Sequence, residues 1–271
     1  MSAYTCNNRF VLLLLSSVFC CAVYAEQDEV SSYQLVAGFG VERMSYHEYD
    51  QRGRELDREV GWMKSLSVSV AGPVTQAVSW RVGFHRSYDS LQYIGESQSG
   101  VPSRTTTDEN FRSYEVGAFT HADGYIPALL LSAGKTDWQR MIRANNITGA
   151  LDEYYQWLFV SAGLGYDVVF IDRLLQVKGG YRLLFNGELE VDFTDYGYGK
   201  ADVDLADGHE WWLSAEYPLL SWRSSELSLS YRFRNGWAAA SERGSAGTLS
   251  FYEPESRTQS HRYLLQWRTD F

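Results

Sequence analysis

The feature that most constrains this chain is a strict two-residue alternation, sharpest in its last ten residues. There Tyr263, Leu265, Trp267, Thr269 and Phe271 fall on one face of a strand and Arg262, Leu264, Gln266, Arg268 and Asp270 on the other. Successive side chains of a strand point to opposite faces, so this segment has one apolar, aromatic side and one mostly polar side. Such a strand suits a wall with lipid outside and a polar lumen inside.

The same alternation recurs along the chain. Val78, Trp80, Val82 and Phe84 oppose Ser79, Arg81, Gly83 and His85. Leu175, Val177, Gly179, Tyr181, Leu183 and Phe185 oppose Gln176, Lys178, Gly180 and Arg182, and Leu227, Leu229, Tyr231 and Phe233 oppose Ser228, Ser230, Arg232 and Arg234. Ten strands are expected in all. Only the run Ala128-Leu129-Leu130-Leu131 leaves its faces unassigned. The linkers alternate between five long polar loops (49–61, 95–109, 140–149, 186–208 and 239–260) and four short turns near 72–76, 122–124, 171–173 and 218–225. An even strand count with long loops at one end and short turns at the other predicts an all-β fold, a transmembrane antiparallel up-and-down barrel with both termini periplasmic.

The ending resembles the closing strand of bacterial outer-membrane β-barrels, in which a terminal aromatic is read by the barrel assembly machinery. That resemblance makes Tyr263, Leu265, Trp267 and Phe271 the assembly signal, and implies a cell outer membrane location in a Gram-negative bacterium. Residues 1–25 have the layout of a cleaved signal peptide: Arg9, an apolar run, and the small-residue end at Ala25. Residues 26–271 then form the barrel. Cys6, Cys20 and Cys21 all fall in the signal, so the barrel has neither disulfides nor thiol chemistry.

Composition fits a barrel better than a helical membrane protein or a soluble one. Nine Trp and 19 Tyr suit interfacial aromatic belts. A net charge of −10 argues against a nucleic-acid partner. Partners expected instead are outer-membrane lipid and lipopolysaccharide, with the protein a monomer and no cofactor required.

If the outward faces are lipid-facing, the lumen receives Glu42, Arg81, Glu115, Lys178, Arg182, Glu216, Arg232, Arg234, Arg268 and Asp270. Mixed charges in a narrow barrel are expected to pair with one another, giving a filled interior that braces the wall; a narrow pore is the alternative. His85 is expected to hydrogen-bond a lumen acid. In the fourth loop Asp202, Asp204 and Asp207 are hard oxygen donors of the kind that hold a divalent cation, although the third acid is one residue late for a calcium loop.

Asp207-Gly208-His209 has the Asp-x-His spacing, at the matching place in the strand order, of the omptins, ten-stranded outer-membrane proteases. The resemblance implies His209 as a general base oriented by Asp207, completed by an aspartate pair across the rim. The first two loops hold no Asp-x-Asp; Asp50, Asp108 and Glu109 are only acids in the right region. The reading adopted is a barrel with a structural or surface-binding role, with an omptin-like endopeptidase using Asp207 and His209 as the alternative.

Overall fold

The structure, a computed structural model, describes residues 33–96, 101–122, 126–146 and 148–271. The signal segment 1–25 and the Asp123-Gly124 turn lie outside them. Among the described residues, ten long antiparallel strands close into a barrel. They are β1 (Gln34–Tyr49), β2 (Glu55–Pro73), β3 (Val78–Glu96), β4 (Pro102–Thr120), β5 (Ala128–Ile142), β6 (Leu151–Phe170), β7 (Arg173–Asp192), β9 (Gly208–Trp222), β10 (Ser225–Ala238) and β13 (Glu255–Asp270). A short strand β8 (Lys200–Leu205) extends the wall beside β7, and a hairpin of β11 (Arg243–Ala246) and β12 (Leu249–Tyr252) rises between β10 and β13.

Neighbours in sequence are neighbours in space, and β1 pairs with β13 to close the ring. Closure removes the open edges on which a membrane strand would leave backbone groups unpaired. Tyr33 and Phe271 exchange backbone hydrogen bonds of 3.1 and 2.9 Å, so both ends of the barrel sequence meet at the short-turn end. The turn at Ile171 and Asp172 has φ of 47° and 63°, the left-handed pair of a two-residue hairpin whose twist matches its strands.

The outer wall carries an exposed apolar band that includes Phe39, Leu66, Val82, Leu164 and Leu213. Aromatic girdles bound it. Tyr33, Phe170, Trp222 and Phe271 lie at the short-turn end, and Trp62, Tyr181, Trp211 and Tyr263 at the other. The register also resolves the unassigned run. Leu129 and Leu131 pair with Leu164 and Ala162 on the outer face, while Leu130 lines the interior.

Two expected loops are mostly strand. Pairing continues to Tyr49↔Glu55 in the first hairpin and to Glu96↔Pro102 in the second, so most of 49–61 and of 95–109, expected as loops, is paired strand. In the fourth and fifth linkers, likewise, β7 runs to Asp192 and β13 starts at Glu255. The reason is that the strands outgrow the apolar band. Beyond the upper girdle their outer residues meet water, so both faces become polar and alternation no longer marks them.

Candidate functional site

The strand extensions above the girdle enclose a side-chain cluster built on one guanidinium. Arg140, fully buried, donates from Nη1 to Glu48 (3.0 Å), Glu153 (2.7 Å) and the Tyr155 hydroxyl (2.9 Å), and from Nη2 to Glu59 (3.0 Å). Its Nε lies 3.9 Å from Glu109, and the group stacks 4.3 Å above the Tyr46 ring. The Tyr46 hydroxyl lies 2.9 Å from Glu48 and 3.2 Å from Glu253, and the Tyr155 hydroxyl 2.8 Å from Glu253, which ties the fifth linker down onto the cluster. Asp57 is buried in the same group, and its Oδ1 has no hydrogen-bond partner among the described residues.

One cation cannot neutralise that many carboxylates in a poorly solvated space, so protons must remain on some of them. Burial, with Glu48 and Glu59 beside it, pushes Glu153 up to about 7 against the pull of Arg140. Burial and neighbouring acids also raise Asp57, Glu253 and Glu109. Burial acts upward on Glu59 too, but Arg140 holds it below the usual range. Around this cluster Met44, Met63, Leu91, Trp138, Trp157, Leu189, Val191 and Phe193 form a packed core that Phe251 of β12 covers. The long-loop end of the lumen is filled.

The membrane half is different. The anticipated lumen charges all lie on the inner wall, most of them in ion pairs. Glu115 receives Arg81 (3.0 Å) and Arg182 (3.3 Å), Glu42 receives Arg234 (2.6 Å), and Glu216 receives Arg268 (2.5 Å). Lys178 donates to Gln176 (3.1 Å), Arg232 stacks 4.6 Å over Trp212, and Asp270 accepts from Gln34 at the lower rim (3.1 Å). His85 does face a lumen acid, 3.4 Å from Glu42, and its Nε2 also lies 3.0 Å from Ser87 and 3.1 Å from Ser65. Ser87 donates to Glu42 at 2.6 Å and is fully buried, so no substrate can approach its hydroxyl. Below this layer the interior is hollow. A cavity of about 190 Å³ lies beside Trp212 and adjoins one of about 560 Å³ that reaches Gln34, Thr75 and Asp270 at the short-turn end.

On the outer wall, His209 stacks between Tyr181 (5.7 Å) and Trp237 (5.1 Å) and makes no hydrogen bond to Asp207 among the described residues. It shares the outward face of Trp211 and Leu213, so its ring does not overlook the mouth. Asp202 and Asp204 also project outward, opposite Glu190 and Glu188, and Asp207 is exposed. No three His, Cys, Asp or Glu side chains among the described residues are arranged to hold a metal ion. Tyr263, Leu265, Trp267 and Phe271 share the outer face of β13 and its end.

Two groupings escaped the sequence. The acids around Arg140 come from four strands and the fifth linker and meet only because the barrel closes. The other is a basic row on the outer wall beside the upper girdle. Arg86 stands directly opposite Arg112, with Lys64 opposite Tyr88 and Lys135 opposite Tyr114. Lys64 and Arg86 lie 5.7 and 4.8 Å from the Tyr88 ring centre. Cross-strand register was the missing signal, since these residues are far apart in the chain.

No family model matches the sequence, and no curated protein matches it. Similarity appears among solved structures. The chain superposes on the outer membrane protease OmpT from Escherichia coli with a TM-score of 0.63 at 8% identity, over 91% of this chain and 99% of that one. The translocator domain of the autotransporter NalP from Neisseria meningitidis gives 0.47 at 11% identity, covering 97% and 95%. Neisserial surface protein A gives 0.35 at 12%, covering 90% and 100%. At these identities the likeness is one of architecture, and the fold of this chain is that of an outer-membrane β-barrel.

Proposed function

We propose that this chain is a surface-binding, structural barrel of the outer membrane, held in place by lipopolysaccharide on its outer wall. Its short-turn end and both termini face the periplasm in this reading. One observation carries it: Arg86 and Arg112 face each other across β3 and β4, beside Lys64, where the lipid-facing band ends. Like charges directly opposite on a sheet destabilise it unless something anionic lies over them. The phosphates of lipopolysaccharide sit at that depth, and guanidinium groups bind phosphate with parallel hydrogen bonds. The apolar, aromatic residues Tyr263, Leu265, Trp267 and Phe271 are the segment through which the assembly machinery would engage the chain.

The filled upper lumen supports a closed barrel over a pore, and the outward position of His209 gives the endopeptidase reading no general base at the mouth. The test compares barrels refolded in phosphatidylcholine with and without lipopolysaccharide. Lipopolysaccharide should raise the unfolding midpoint of the wild type. The combined Lys64→Gln, Arg86→Gln, Arg112→Gln variant should lose most of that gain, each charge being worth about 1 kcal/mol at an anionic surface. A variant stabilised as much as wild type would refute the reading.

A further inference from the structure

The wall of the 190 Å³ cavity holds more positive charge than the acids beside it neutralise. Around the 190 Å³ cavity stand Arg81, Lys178, Arg182, Arg232, Arg234 and Arg262. Arg81, Arg182 and Arg234 are matched by Glu115, Glu210 and Glu42, and Glu216 is taken by Arg268. That leaves Lys178, Arg232 and Arg262 with no carboxylate oxygen within 4.0 Å among the described residues. Arg262 is 9% exposed, and Nε of Arg232 is buried without a hydrogen-bond partner. A cation held in a confined space without a counterion is costly, so a barrel that keeps three such cations on the wall of one chamber is arranged for a negative charge there.

From this geometry we infer that the cavity is a binding site for a small tetrahedral oxyanion, inorganic phosphate or the phosphate of a small solute. Its other lining groups are suited to one. Ser132, Ser161, Ser214 and Ser230 bring hydroxyl donors to the same wall. Two guanidinium forks and an ammonium provide charged donors at different angles, which a tetrahedral oxyanion uses more fully than a planar or monatomic anion. The volume equals roughly six waters at about 30 Å³ each, room for one oxyanion with part of its hydration shell. Entry runs through the 560 Å³ vestibule at the short-turn end, where Lys178, Arg81 and Arg268 line the way together with Asp167, Glu216 and Asp270. The packed core above closes the other exit, so the site is a dead-end chamber that binds without conducting.

The experiment is calorimetric titration of the refolded barrel, residues 26–271 in zwitterionic detergent, with inorganic phosphate and separately with glycerol 3-phosphate, in buffer free of phosphate and sulfate. Phosphate should bind with a Kd on the order of 1 mM or tighter. Arg232→Gln and Arg262→Gln should each weaken it about tenfold or more, and Arg43→Gln on the outer wall should leave it unchanged. Ser214→Asp keeps every cation and places a carboxylate in the chamber; it should abolish binding while the barrel keeps its heat-dependent gel mobility. Binding of glycerol 3-phosphate as well would extend the ligand to phosphorylated solutes. Absence of phosphate binding at about 10 mM would overturn the inference. So would binding that survives in Ser214→Asp and both arginine variants, or that falls equally in Arg43→Gln, since these outcomes mean an adventitious surface ion only.

Discussion

The two halves of this lumen invert one another. Above the upper girdle, many carboxylates crowd one arginine inside a packed aromatic core; within the membrane band, many arginines share a few carboxylates around a hollow. The strands are continuous through both, so the backbone does not explain the difference. Side-chain size does. Tyr46, Trp138, Tyr155 and Trp157 fill the upper cross-section, whereas Gly163 and Gly180 face each other across β6 and β7 lower down. A Cβ on Gly180 would come within 2.4 Å of the Ala162 carbonyl oxygen and 2.8 Å of both Gly163 Cα and the Trp212 ring, so the missing side chain is what lets β6 and that indole approach so closely beside the chamber. The comparison shows that a barrel of one width can be sealed or open depending on which residues point inward.

The largest break in this contrast should come from Arg140→Met. Removing the only cation among the described residues in contact with Glu48, Glu59 and Glu153 leaves buried charges uncompensated, and breaking such a network typically costs about 3–5 kcal/mol. Urea unfolding of the refolded barrel measures the loss, which should be smaller at pH 5 than at pH 8 because protons then stand in for the guanidinium.

A second effect follows from pH alone. Glu153 binds its proton more tightly in the folded barrel, at about 7, than in the unfolded chain near 4.5. Its contribution is therefore fully present below about 4.5 and is lost as pH rises through about 7, on the order of 3 kcal/mol at the limit. Asp57, Glu109 and Glu253 shift in the same direction. Amide exchange in β12 and at Glu253, corrected for intrinsic rates, should show weaker protection at pH 8 than at pH 5.5, with little change in the lower strands.

Gly180→Val sharpens the contrast from below. Crowding the β6 backbone at Ala162 and the Trp212 ring should cost about 1–3 kcal/mol, the usual penalty for overpacking, and quench or shift the indole's fluorescence. The smallest effect belongs to His209→Ala. It removes one outer-wall stack between Tyr181 and Trp237, worth about 0.5–1.5 kcal/mol, and peptide cleavage by the refolded barrel should be absent before and after.

How much of this was legible depended on where each residue meets the membrane. Between the girdles, lipid forces every second residue to be apolar, so Arg81, Lys178, Arg182, Arg232 and Arg268 announced themselves as lumen residues. The parity that put Trp211 and Leu213 outside also puts His209 outside, so its orientation was readable from the same strand. Above the girdle the constraint vanishes. Asp57 and Glu59 point inward and Arg58 outward, and with water on one side and a polar cluster on the other the segment reads as an irregular loop. Nor does a sequence announce that Glu48, Glu109, Glu153 and Glu253 converge, because closure and register bring them together.

The most direct test of a sealed upper half over an open, cationic lower half uses the absence of cysteine beyond Cys21. Single cysteines at Ser214 and at Thr136 would report the two halves, Ser214 lining the chamber and Thr136 being 4% exposed among the upper aromatics. Ser214→Cys should react readily with a small anionic methanethiosulfonate, and faster than with its cationic counterpart; Thr136→Cys should react with neither until the barrel is unfolded. Rapid labelling of Thr136→Cys in the folded barrel, or a preference of Ser214→Cys for the cationic reagent, would contradict the account.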